Sequence, residues 1–102
     1  MDAEEQERLF REKTVRALQS HITELNAMEK VIAQAAREHT EIPNLKEIVK
    51  ELADATAELR SVNTFYEDEA LPREMWNVVS HTLTALIDCN SALVLYLAMN
   101  TD

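Results

Sequence analysis

The sequence predicts an all-α fold: a three-helix antiparallel bundle with a long helix 1, a shorter helix 2 and an apolar helix 3, completed by dimerisation into a larger helical bundle. Three observations carry this. Glycine is absent from all 102 residues, and glycine supplies the positive-φ positions of hairpin turns, bulges and phosphate-cradling loops. Ala, Leu, Glu, Lys, Arg and Gln dominate the composition, and all are good helix formers. Apolar side chains recur at steps of three and four through three segments set apart by Pro43 and Pro72.

Helix 1 starts at Asp2, which reads as an N-cap because Glu5 follows three residues later with a carboxylate that can reach back. Val15, Leu18, Ile22, Leu25, Ile32 and Ala36 then form one stripe, widened by Met28 and Val31. No breaker precedes Pro43, so the helix is expected over residues 3–39, roughly 55 Å long. A bend near Ser20 is the one alternative, and nothing there resembles a break.

Pro43 pushes Ile42 toward an extended conformation and suits the first position of a second helix. Leu45, Ile48, Leu52, Ala55, Leu59 and Val62 form the cleanest amphipathic stripe in the chain, with Glu47 and Glu51 expected to face outward. Asn63 reads as the C-terminal cap, which sets helix 2 at residues 44–63. The stretch from Thr64 to Leu71 is the only real loop, and Pro72 opens helix 3 over residues 72–99. The whole chain, 1–102, is expected to be a single helical domain.

Helix 3 differs in kind. One stripe is Met75, Val78, Thr82, Ala85, Cys89, Ala92, Tyr96 and Met99; a second face carries Trp76, Val79, Leu83, Leu86, Ile87, Leu93, Val94 and Leu97. Between Met75 and Met99 the only formally charged side chain is Asp88. A helix apolar nearly all round must be covered nearly all round, and two partner helices leave a shortfall. A homodimer meets it, with Met75, Val78, Val79, Thr82, Leu86, Cys89, Leu93 and Tyr96 as the expected interface. Asp88 is then expected at the interface edge or paired, with His81 of a second copy, Arg16 or Arg37 as candidate partners.

Charge narrows the partners. The formal net charge is −9. Residues 61–102 hold six acids against one base, Arg73. Such a surface repels phosphate backbones and anionic lipid, so no direct nucleic-acid partner and no membrane is expected, whereas a basic protein surface fits. Phe65, Tyr66, Glu67, Asp68, Glu69 and Trp76 combine aromatic anchors with negative charge and are the expected partner-binding residues. The lone Cys89 forms no internal disulfide, Asp2, Glu4 and Glu5 contradict a secretory signal, and the longest apolar run, Ala92 to Met99, falls short of the ~20 residues of a bilayer span. A cytoplasmic protein is expected.

Candidate chemistry is thin. No Glu-x-x-His occurs; His21 with Glu24 gives the reversed order, and His39 lies near Glu38 and Glu41, so no metal site is expected. Cys89 lies in an apolar stripe, and His81 is eight residues away, over ~10 Å along the axis, so no nucleophile–base pair forms locally. The string His81, Leu83, Ser91 and Ala92 resembles the phosphorylatable helix of histidine-containing phosphotransfer domains. Thr84 stands at that family's lysine position and Ala85 at its first glycine. The resemblance implies a signalling module centred on His81 as the alternative. The reading is otherwise a non-enzymatic interaction or regulatory protein without cofactor: a homodimer acting as an acidic inhibitor or an assembly subunit.

Overall fold

A computed structural model describes residues 2–100. Three helices account for nearly all of it: α1 Ala3–Glu38, α2 Leu45–Phe65 and α3 Arg73–Met99. The Asp2 carboxylate accepts a hydrogen bond from the Glu5 N–H at 2.8 Å, as its cap position predicts. α1 then runs unbroken for 36 residues, about 54 Å, so the alternative of a bend near Ser20 is not what the chain adopts.

The two ends of the bundle fix the topology. At one end the Tyr66 hydroxyl, just past α2, donates to Glu7 of α1 at 2.6 Å, and Arg11 of α1 reaches Glu74 of α3 at 3.5 Å. At the other, the Ile42 N–H between α1 and α2 donates to the Tyr96 hydroxyl of α3 at 3.3 Å. α1 and α3 therefore run parallel, and α2 returns antiparallel to both.

Helix ends depart from the sequence expectation in four places, the simplest being Pro72, which caps α3 from outside while Arg73 is its first helical residue. Asn63 does not cap α2; the helix continues to Phe65 and closes at Tyr66, whose side chain is held by the bundle end, so packing overrides the cap preference. Pro43 lies in the turn before α2 rather than opening it, and Asn44 precedes the first helical residue. α1 ends on His39 in the left-handed conformation at φ 54°, with its N–H bonded to the Ala35 carbonyl and the Thr40 N–H bonded there too. In a chain without glycine, a histidine fills a left-handed position for which glycine is the usual residue.

The core divides into two clusters along α1. Leu25, Ile32 and Ala35 pack with Ile48, Ala55, Ala85, Cys89 and Leu93 toward one end. Val15 and Leu18 pack with Val62, Tyr66, Met75 and Val78 toward the other. α1 packs closely on both other helices, whereas α2 and α3 touch much less. The stripe of α2 splits accordingly: Ile48, Ala55 and Val62 are buried, Leu52 and Leu59 are half-buried, and Leu45 is exposed.

Candidate functional site

Each helix has one face on α1, so the unfinished side of the molecule is the groove between α2 and α3. α3 presents most of its first stripe inward: Met75, Val78, Thr82, Ala85 and Cys89 are buried, joined by Leu93 of the second face. This corrects the expected dimer interface. Met75, Val78, Thr82, Cys89 and Leu93 are consumed by the protomer's own core, because α1 is long enough to follow α3 along its length. Tyr96 is half-buried and holds the Ile42 N–H. Val79 and Leu86 are half-buried at the margin of the groove.

The face left outside is the second one. Trp76 is 59% exposed, Leu83 46%, Ile87 63% and Val94 58%, and Asn90 is exposed among them. Trp76, Leu83 and Asn90 recur at seven-residue intervals, with Ile87 and Val94 as a second row at the same interval, so all lie along one side of the helix. Two cavities continue this face onto α2. One, of about 340 Å³, lies among Leu59, Val62, Val79 and Leu83 and is rimmed by Glu67 and Glu69. The other, of about 250 Å³, lies among Leu52, Thr56, Leu86, Ile87 and Asn90. Asn90 carries no signal of its own in the sequence beyond its spacing from Leu83 and Trp76.

The expected partner-binding residues are divided by the structure. Tyr66 is buried, and Phe65 stacks on Phe10 with ring centroids 4.0 Å apart and planes 6° from parallel. Phe10 and Phe65 both meet Tyr66 edge-on, at 5.9 and 5.0 Å. These aromatics close the end of the bundle, because the short α2–α3 connection draws them back onto α1. Glu67, Asp68 and Glu69 are exposed, and Trp76 lies at the start of the apolar face. The acidic turn and the apolar groove are therefore neighbours, while Tyr66 belongs to the fold.

Polar contacts that could suggest chemistry are mostly structural. Glu7 accepts from both Tyr66 and Arg11, and the Tyr66 hydrogen bond holds its carboxyl below the usual carboxylate range against the opposing effect of burial. Burial, reinforced by the Glu7 carboxylate, pushes the Tyr66 hydroxyl well above the ordinary tyrosine range. His21 Nδ1 lies 2.5 Å from Glu51 Oε1, which ties α1 to α2; Glu51 thus faces inward, contrary to its expected outward position. Burial raises the Cys89 thiol, the opposite of an activated nucleophile. His81 is exposed and borders an open hollow with Gln19, Glu74 and Asn77, where a carboxylate stands in place of a phosphate-neutralising cation. Asp88 is also exposed, so its charge is hydrated without a partner helix. Among the described residues, no three His, Cys, Asp or Glu side chains converge as metal ligands would.

α3 is long and apolar enough to cross a membrane by length and composition alone. The uninterrupted apolar run misses this because Asn90, Ser91 and Asp88 break the run without making the segment polar. Comparison with protein-family models, with curated proteins and with solved structures gives no match for this chain.

Proposed function

We propose that the chain is a non-enzymatic interaction protein that works as a homodimer, joined through the uncovered face of α3. The observation that carries this reading is the row of Trp76, Leu83, Ile87 and Val94, four large apolar side chains each about half exposed on one side of one helix. Contiguous apolar surface of this kind marks an association site rather than ordinary surface scatter. The adjacent acidic turn then offers Glu67, Asp68 and Glu69 to a basic protein surface, the chemistry of an acidic inhibitor or of an assembly subunit.

Sedimentation equilibrium or light scattering on the full chain tests the reading. A dimer is expected in the micromolar range, and Ile87→Asp is expected to weaken it at least tenfold while leaving the helical circular dichroism unchanged, since Ile87 lies outside the core. A clean monomer at high micromolar concentration overturns it.

A further inference from the structure

The accessible surface of the protomer sets the scale of what is missing. It is 7091 Å² for an 11.7 kDa chain, about 1,200 Å² more than the about 5,900 Å² expected of a compact monomer of that mass. The radius of gyration is 16.1 Å, against about 13 Å for a compact domain of this length. A stable interface removes about 800 Å² from each partner. The excess belongs to an elongated protomer of 56 × 20 × 18 Å and is larger than the footprint of one standard partner, so the flank has area enough to seat one.

Charge along α3 distinguishes the ways in which a second copy can fill that face. Arg73 and Glu74 open the helix, Glu67, Asp68 and Glu69 precede it, and from Cys89 to Met99 there is no charged side chain. A parallel pair sets the two acidic turns side by side. An antiparallel pair centred on Asn90 carries each acidic turn past Met99, the last helical residue of the other copy's α3, and holds the two helix starts about 50 Å apart, several Debye lengths at physiological salt.

Asn90 then fixes the register. It is the one amide among the large apolar side chains of the outer face, and its carboxamide carries both donors and acceptors. Opposite Leu83 or Ile87 of a second copy it would be desolvated without a partner, at a cost that disfavours the register. On a twofold axis the two Asn90 amides face and satisfy each other, the role that a lone asparagine has in an apolar helical seam. The same axis brings Ile87 of one copy within one residue's rise of Val94 of the other, and both lie on the same flank of the helix.

We infer that two copies pair through α3 in antiparallel sense, with the twofold axis passing at Asn90 and Ile87 packed on Val94 across it. This rests on the homodimer reading and adds its orientation and register.

Single-cysteine additions to the full chain test it under a mild oxidant. Wild-type protein is the blank, because its one thiol, Cys89, is fully buried. A disulfide needs Cα atoms within about 7 Å. Asn90→Cys is therefore expected to form a crosslinked dimer, and a mixture of Ile87→Cys with Val94→Cys chains is expected to crosslink across the pair. Ile87→Cys alone is expected to stay uncrosslinked. All three positions are exposed, and unchanged helical circular dichroism verifies each fold. A dimer by sedimentation in which Ile87→Cys crosslinks with itself and the mixture does not overturns the antiparallel register while leaving the homodimer intact. A monomer with no crosslink at any position overturns both. Flotation of a monomeric chain with neutral phosphatidylcholine vesicles assigns the face to lipid and also overturns both.

Discussion

His39 leaves α1 at φ 54° and ψ 40°, and a side chain with a Cβ adopts that left-handed conformation at a cost of about 1–2 kcal/mol. The cost is tolerated because the turn satisfies two N–H groups on the Ala35 carbonyl. His39 is exposed, so nothing is packed on its ring. His39→Gly is therefore expected to raise the unfolding free energy by about 1 kcal/mol, read from denaturant melts with an unchanged slope. Tyr66 is the opposite case, a residue whose polar tip is part of the fold. Tyr66→Phe leaves the rings packed and removes the bond to Glu7, at a cost of about 1–2 kcal/mol at neutral pH. Its pH signature follows from the depressed Glu7 carboxyl. A carboxyl lowered on folding contributes stability above the unfolded pKa of about 4 and loses it as pH falls through the folded value. Stability measured from pH 6 down to pH 2 is therefore expected to fall less steeply in Tyr66→Phe than in the parent chain.

At the level of elements, α1 and α3 are legible in the sequence to within one residue at each end. Their stripes are long, and each lies against a helix that follows it for most of its length. α2 is legible only in part. Leu45, Leu52 and Leu59 belong to the same sequence stripe as Ile48, Ala55 and Val62, yet only the second set is buried. Periodicity gives the width of an apolar face and not how many neighbours will share it. The same limit hides which side of α3 faces inward, since both of its faces are apolar; Thr82, which donates to the Val78 carbonyl at 2.7 Å, is the polar residue that the buried side accommodates. Glu51 shows a third limit, because its partner His21 is 30 positions away and no local pattern links them. The pair is the main polar tie between α1 and α2 at mid-length. A double-mutant cycle with His21→Ala and Glu51→Ala is expected to give a coupling of about 1–2 kcal/mol, since both side chains are largely withdrawn from water.

For the molecule as a whole, the extents of 56 × 20 × 18 Å describe a rod, and a rod of this kind has a long flank for every residue of core it builds. Fold class was within reach of the sequence because no glycine and two prolines leave few ways to turn the chain. The outward side of α3 was not, because it depends on which flank α1 covers. The partner-binding expectation fails at Tyr66 for the same reason: a closed bundle end uses that ring as a stopper, while Phe65, stacked on Phe10, stays 43% exposed. The densest set of exposed large apolar side chains lies on α3, beside the acidic turn.

The thin contact between α2 and α3 also has a kinetic meaning. α1 and α3 hold each other along most of their length, whereas α2 adds Ile48, Ala55 and Val62 to the two clusters from one side only. α2 is fastened along one edge and at its two ends, and it behaves as a door hung on α1. Its amides are expected to exchange with solvent through a partial opening that costs less than global unfolding, while those of α1 and α3 exchange only with the whole. Hydrogen exchange read by mass spectrometry checks this, and uniform protection across the three helices would contradict it. A partner seated in the groove would latch that door, so the slowing of α2 exchange with rising protein concentration would report assembly from within a single helix.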